Sequence, residues 1–363
     1  MSRVQAWLSG LPLFLLAGAP LPLPAGAQAS AAVAAAQAGI PPADSVPVPP
    51  PIEISVFQDA LIQFAPDSVA AADGREQTDA QTGRVVTAQV RLPEMTGPHR
   101  VKALLTVKPI PKTEREVYDR WDRAGNIRLV AGESEIEVVR FITSYGGRTE
   151  HEVDVTELAP LLRGERTLRA FIDTWMSPGW RVDLTLRYVA VGEYDNAAWA
   201  APLFYTDSFN AEAMPRGVEV RVVVPPGLAR VVLRYFSTGH CTDGTDADEF
   251  ISKANVISVD GLVVARFHPW RDDCRRFRER NPYTARWTDG SWSSDYSRSG
   301  WCPGVEVLPM EFDLTDHLTP GEHVVGFQVE QMRPKDEQGH FGYWRVSGAL
   351  VGWDRPPALW RNE

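Results

Sequence analysis

An all-β protein of two antiparallel sandwiches is what this sequence predicts, on three observations. The chain has 363 residues, and at roughly 150 residues per domain that is about two domains. Its 28 Gly and 29 Pro supply frequent turns, and its 12 Trp supply large aromatic surfaces. Apolar and polar residues alternate with period two in run after run, and no helical periodicity of any length competes. A hydrophobic fraction of 44% with 23% charged residues is ordinary globular composition and excludes a disordered chain, a fibre or a coiled coil. The net charge of -10 comes without a basic stripe, so neither nucleic acid nor a membrane is an expected partner.

The elements follow in chain order. Residues 1–27 carry one charge, Arg3, then a short apolar stretch from Trp7 to Leu21, then Ala25, Gly26 and Ala27 at the positions of a small-residue cleavage site. They read as a secretory signal removed after Ala27. Gly10, Pro12, Gly18 and Pro20 interrupt the stretch, against a membrane span that needs about 20 apolar residues. A secreted or periplasmic protein is expected. Residues 28–52 hold 8 Ala and 6 Pro, which builds no core and reads as a linker or tail. Strands are expected at Ile127 to Val130, Ile136 to Ile142, Leu168 to Thr174 and Val182 to Tyr188. Further strands follow at Val218 to Val224, Val231 to Phe236, Val256 to Val259 and Val325 to Val329. Their spacing near ten residues, with Gly and Pro between, fits sandwiches or jelly rolls. The alternation stops between Gly192 and Pro202, where the domain break is expected. Val153 to Gly164 and Phe312 to Gly321 share a pattern of strand end, short turn and return strand, which supports two related units.

Four clusters stand out as candidate chemistry. The first is Asp119-Arg-Trp-Asp-Arg123, readable also as a solvated turn with local ion pairs. The second is Asp173 inside the apolar run Phe171 to Trp175, where a carboxylate needs a partner or a shifted pKa. The third is Asp243, Asp246, Asp248 and Glu249, whose spacing does not fit a calcium loop. The fourth is Arg298 to Gly304, where Arg298 and Trp301 flank a tight turn. The seven His include no HxH and no HExxH, and no Cys pair has ligand spacing, so no metal site is expected. Nucleophile-elbow, P-loop and dinucleotide fingerprints are absent as well. Three cysteines in an exported chain allow one disulfide and one thiol left over.

In this order the clusters resemble the bacterial peptide:N-glycosidase F family, from about Ile54 to Gly352. Tyr118 to Asn126 resembles the family's E-W-D-R segment. Arg140-Phe-Ile-Thr-Ser-Tyr145 resembles its R-F-I-T-x-Y, and Asp154-Val-Thr156 through Thr174-Trp175 resembles its D-V-T…T-E-T-W. Arg298-Ser-Gly-Trp-Cys-Pro-Gly304 resembles its R-A-G-W-C-P-G. The resemblance implies two adjacent antiparallel jelly rolls of eight strands each, at about 53–195 and 196–356, with the active site between them. It implies a secreted, monomeric amidase acting on N-glycoproteins and N-glycopeptides, without a cofactor. The amide between the innermost GlcNAc and Asn is cleaved, leaving Asp and a glycosylamine. The rival readings are a glycoside hydrolase that would leave GlcNAc on Asn, a glycan-binding module without turnover, and a copper monooxygenase on similar jelly rolls, for which the His clusters are missing.

Carried over residue by residue, the resemblance makes Asp122, Asp173 and Glu249 the catalytic carboxylates. Trp121, Arg123, Tyr145, Trp175, His240, Arg298 and Trp301 become substrate contacts. It also pairs Cys274 with Cys302 and leaves Cys241 outside that bridge, which closes 28 residues and contributes about 3 kcal/mol. Such a site makes chemical sense, because amide hydrolysis needs an activated water, a donor for the oxyanion and a proton for the departing amine. Carboxylates crowded into one cleft push their pKa values apart, so one stays basic while another keeps its proton. Activity displaced toward acid pH is therefore expected. This sequence departs from the family at five places. Asp173 replaces a glutamate, and the small disulfide loops at 114–119 and 246–251 are missing. Gly146 and Thr238 each stand where the family has Trp. The last two changes predict a more open cleft, with room for fucose on the 3-OH of the innermost GlcNAc.

Overall fold

The computed structural model describes residues 49–65, 76–78, 82–241 and 248–355. The signal sequence, most of the Ala/Pro stretch, and Asp243 and Asp246 lie outside the described residues. The described strands form two pairs of sheets and one two-stranded ribbon, Pro111–Thr113 with Glu116–Val117. In the first pair, one sheet runs Ile52–Ile62, Trp180–Ala190, His99–Pro109, Thr149–Asp154. The other runs Glu306–Val307, Ser134–Ile142, Ala124–Ala131, Gly164–Ile172, Val85–Leu92, Glu76–Thr78. In the second pair, one sheet runs Trp199–Phe209, Gly342–Trp353, Arg230–Cys241, Met310–Asp313. Its partner runs Val218–Val224, Gly321–Val329, Asn255–Val259, Leu262–Phe267. Neighbouring strands are antiparallel throughout these sheets.

The alternation read from the sequence is what closes each sandwich. Along Trp180–Ala190, Trp180, Val182, Leu184, Leu186 and Tyr188 are buried while the residues between them are not. A strand with one apolar face buries it against the facing sheet. Two cores result, one around Trp180, Leu184 and Phe141 and one around Tyr235, Phe327 and Trp344. Alternation fails in Ser134–Ile142, Arg230–Cys241 and Gly342–Trp353, which are buried almost continuously. These strands carry the seam between the rolls, so both of their faces are covered. A further exchange tightens the seam, because Glu306–Val307, from the second half of the chain, pairs with Ser134–Ile142 of the first roll.

A network of paired polar side chains lies in the seam. Arg140 donates to Glu137 through Nε and Nη2 at 2.8 and 2.6 Å, and to the Arg345 carbonyl through Nη1 at 2.8 Å. Arg234 answers from the second roll, donating from Nη2 to the Val138 carbonyl at 2.8 Å and pairing with Glu157. Ser347 closes the network on Glu137. Removing one member of a buried ion pair strands the other, at about 3–5 kcal/mol. Glu137→Leu is therefore expected to lower stability by about that much in urea unfolding. A loss under about 1 kcal/mol would mean the seam repacks without its carboxylate.

Between Phe267 and Glu306 the chain leaves the sheets for a long excursion over the seam. Cys274 and Cys302 are joined there, 28 residues apart, and both are buried. Cys241 stands outside the bridge, its Sγ 3.4 Å from Glu249 Oε2.

Candidate active site

A cleft of about 1410 Å³ opens at the seam, and all ten residues expected at a catalytic or substrate site line it. Asp122 sits in a turn just ahead of Ala124–Ala131. Its neighbours are fixed on both sides. Asp119, fully buried, accepts from the Trp121 backbone N–H at 3.2 Å and from Arg123 Nε and Nη2 at 3.0 and 3.1 Å. It also takes Thr174 Oγ1 at 2.6 Å and Trp180 Nε1 at 3.2 Å. Thr143 holds the other side, donating to the Trp121 carbonyl at 3.0 Å and accepting from the Arg123 N–H at 2.8 Å. A carboxylate held through its own backbone needs no further ordering at the moment of reaction. Arg123, expected against substrate, is largely consumed by this anchorage.

Arg298 joins Asp122 to Glu249. Its Nη2 lies 3.4 Å from Asp122 Oδ2 and its Nε 3.3 Å from Glu249 Oε1. The guanidinium is almost fully buried, donates to the carbonyls of Ser293 and Tyr296 at 2.9 and 3.1 Å, and lies between the rings of Phe250 and Trp301. The Tyr145 hydroxyl accepts from Arg298 at 3.3 Å and bonds the Asp122 carboxylate. Burial raises the pKa of Asp122, against the opposing pull of Arg298. Burial also raises Glu249, to about 7, with Asp122 adding to the rise and Arg298 opposing it. Two acids from different rolls thus share one cation, and one of them keeps a proton near neutrality.

The missing disulfide loop beside Glu249 has a polar replacement. Asp248 is fully buried, pairs with Lys253, and accepts the Arg333 N–H at 3.0 Å. A Cβ at Gly342 would fall 1.6 Å from Asp248 Oδ2, and one at Gly239 would fall 2.3 Å from the Asp248 carbonyl. Both positions must be glycine for the Asp248–Glu249 turn to seat against the sheet. Asp248 therefore faces the protein and does not line the cleft.

Several expectations change in detail. Asp173 lines the cleft, but its two oxygens are taken by Arg84 Nη1 at 2.7 Å and Arg345 Nη2 at 2.6 Å. Asp173 is thus paired with two arginines within the same cleft, while Asp122 and Glu249 share Arg298. Behind Asp173, Arg84 stacks on Trp175, its carbon 4.7 Å from the ring centre. His240 lies between Trp301 and Tyr343, at 5.4 and 5.3 Å, with Nε2 against Thr238 Oγ1 at 2.9 Å. Burial holds its pKa well below the usual value, so it is a neutral spacer in an aromatic stack. Trp301 is buried and bonds the Gly239 carbonyl, which makes it a wall. Of the aromatic residues expected against substrate, Trp121 and Trp175 stay exposed. The extra room expected at Gly146 and Thr238 is not there. A Cβ on Gly146 would meet the Tyr283 ring at 2.4 Å, and Thr238 is fully buried.

The sequence reading missed Asp119 as an anchor, along with Arg84, Arg345, Phe250 and the cleft aromatics Trp287 and Tyr296. For Trp287 a signal existed, because Asp289-Gly290 is a hairpin dipeptide. Among the described residues no group of His, Cys, Asp and Glu is placed to hold a metal ion. No helix among them is long and apolar enough to cross a membrane.

Residues 207–351 match the family model for the C-terminal part of peptide-N-glycosidase F, and 131–188 match the model for its N-terminal part, together more than half of the chain. The chain belongs to the peptide-N-glycosidase F family. The matched segments hold Tyr145, Asp173, Glu249, Arg298 and the disulfide, while the Asp122 turn lies just ahead of them and owes its place to geometry. A relative from Elizabethkingia miricola, peptide-N(4)-(N-acetyl-beta-D-glucosaminyl)asparagine amidase F, is 25% identical over 250 residues. The match spans 62% of this chain and 68% of that one. The solved structure of PNGF-II is 27% identical with a TM-score of 0.75 over 84% of this chain. This chain covers 66% of its length, just under two thirds. PNGase F of Flavobacterium meningosepticum superposes with a TM-score of 0.65 at 18% identity, over 85% of this chain and 98% of its own, and shows the same jelly-roll pair.

Proposed function

We propose that this family member is an amidase that hydrolyses the bond between the innermost GlcNAc and Asn of N-linked glycans. The observation that carries the reading is the Asp122–Arg298–Glu249 centre, built from both rolls inside one cleft. Asp122, ionised, removes a proton from water as its oxygen attacks the side-chain amide carbon of Asn. The tetrahedral oxyanion forms beside the nearly buried guanidinium of Arg298, a positioned donor that acts strongly on developing charge. Glu249, protonated, gives its proton to the amide nitrogen as the C–N bond breaks. Asn leaves as Asp, and the glycan leaves as a glycosylamine. Trp121 and Trp175 offer flat faces to the apolar faces of sugar rings. The signal pattern of residues 1–27 supports export of the enzyme, and we take a monomer as the working unit.

The mass of a treated glycopeptide tests the reading. Loss of the whole glycan with Asn converted to Asp is the expected result. A GlcNAc left on an intact Asn would replace the amidase by a glycosidase, and an unchanged mass would leave a glycan-binding protein.

A further inference from the structure

The cleft carries more aromatic surface than its Asp122–Arg298–Glu249 centre uses. Trp121, Trp175, Trp287 and Tyr296 line it and stay 45%, 56%, 49% and 37% exposed. A single exposed apolar side chain is normal on any protein. Trp287 differs in how it is mounted. The Gly290 N–H donates to the Trp287 carbonyl at 2.9 Å and the Trp287 N–H donates to the Ser291 carbonyl at 2.8 Å. Gly290 takes the positive φ, +86°, that this tight turn requires. Asp289 accepts from the Ser291 N–H and hydroxyl at 2.8 and 2.6 Å. At the base of the hairpin, Trp292 lies between the guanidinium groups of Arg278 and Arg286, at 5.4 and 5.7 Å. Ser293, at the same base, gives its carbonyl to Arg298 at 2.9 Å. A stiff hairpin continuous with the reactive centre therefore holds one large aromatic face out over the cleft.

We propose that Trp287 is a stacking subsite for sugars of the glycan beyond the innermost GlcNAc, an inference that rests on the amidase reading. The chemistry of the hairpin favours sugar over peptide. A flat indole is bordered by the Asp289 carboxylate and by the hydroxyls of Ser291 and Tyr296, which bond each other at 2.6 Å. A pyranose offers the complement, an apolar ring face rimmed by hydroxyls. The cleft also has the space: its 1410 Å³ exceeds the roughly 300–1,000 Å³ of a site for one drug-sized ligand. Because the hairpin is already ordered, stacking there costs little conformational freedom.

The test compares parent, Trp287→Ala and Trp287→Phe on two glycopeptides of one peptide sequence. One carries a full high-mannose glycan and the other is trimmed to its two GlcNAc. Trp287→Ala is expected to raise KM for the full glycan by about tenfold with kcat little changed, and to lower the preference for full over trimmed substrate by the same factor. Trp287→Phe should restore most of the difference. An equal loss on both substrates, or none on either, overturns the subsite. A second measurement does not depend on turnover: binding of free high-mannose oligosaccharide to the full chain, with and without Trp287→Ala. If the parent cleaves neither glycopeptide, the amidase reading fails, and weaker oligosaccharide binding by Trp287→Ala still upholds the subsite. Unchanged oligosaccharide binding refutes it whatever the activity.

Discussion

Asp122→Asn is expected to remove turnover by roughly 10³-fold or more while the protein stays folded. Asn keeps the shape of the side chain but cannot take a proton from water. Its backbone position does not depend on its charge. The turn is held from outside by Asp119 and Thr143, and Arg298 keeps Glu249 and two backbone carbonyls as partners. Burial works against the ionised form of Asp122 and Arg298 favours it, so the two effects oppose each other in the neutral amide and the variant is expected to remain folded. Single-turnover rates on a denatured glycopeptide, read beside an equilibrium unfolding curve, check both halves. Activity within tenfold of the parent in a folded Asp122→Asn protein would remove Asp122 as the base.

Period-two alternation made the sandwiches legible, because a strand with one buried face writes that face into its sequence. The seam was not legible for the same reason. Ser134–Ile142 and Gly342–Trp353 are covered on both sides, so their pattern says strand without saying what covers the second face. Glu306–Val307 is only two residues long and carries no periodicity at all. At the site, the motif order pointed to Asp122, Glu249 and Arg298, which lie in one cleft with Arg298 between the two acids. The partners of Asp173 were beyond reach, since Arg84 and Arg345 lie 89 and 172 residues away and nothing local marks an arginine as an anchor. Asp119 read as a solvated turn because Asp and Arg four residues apart usually face water. Only the packed indole of Trp180 and the Thr174 hydroxyl show that it is interior. His240 is the converse case, a residue type rich in chemistry that the fold uses as a flat spacer.

Glu249→Gln is expected to lose activity and gain stability, with the gain confined to one side of the pH scale. Glutamine has no proton to give the leaving amine, so a loss of roughly 10²-fold or more follows if Glu249 is the acid. The parent should also show a descending limb as pH passes about 7, where Glu249 surrenders its proton, and the variant should lose that limb. For stability the sign is set by the direction of the shift. Burial raises the carboxyl from an ordinary 4.5 to about 7 in the folded protein. Between those values the native state holds a proton that the unfolded state does not, so stability falls as pH rises through the window. The loss is complete above about 7 and amounts to about 3 kcal/mol. Glutamine is neutral in both states and has no such dependence. Urea unfolding of parent and variant at pH 5 and pH 8 measures the difference. The variant should be the more stable protein at pH 8, and its advantage should shrink by most of that amount at pH 5. An advantage that does not change with pH would show that Glu249 is ionised in the folded protein across the whole range. Arg298 would then outweigh burial at this site, and the proton for the leaving amine would have to come from another group lining the cleft.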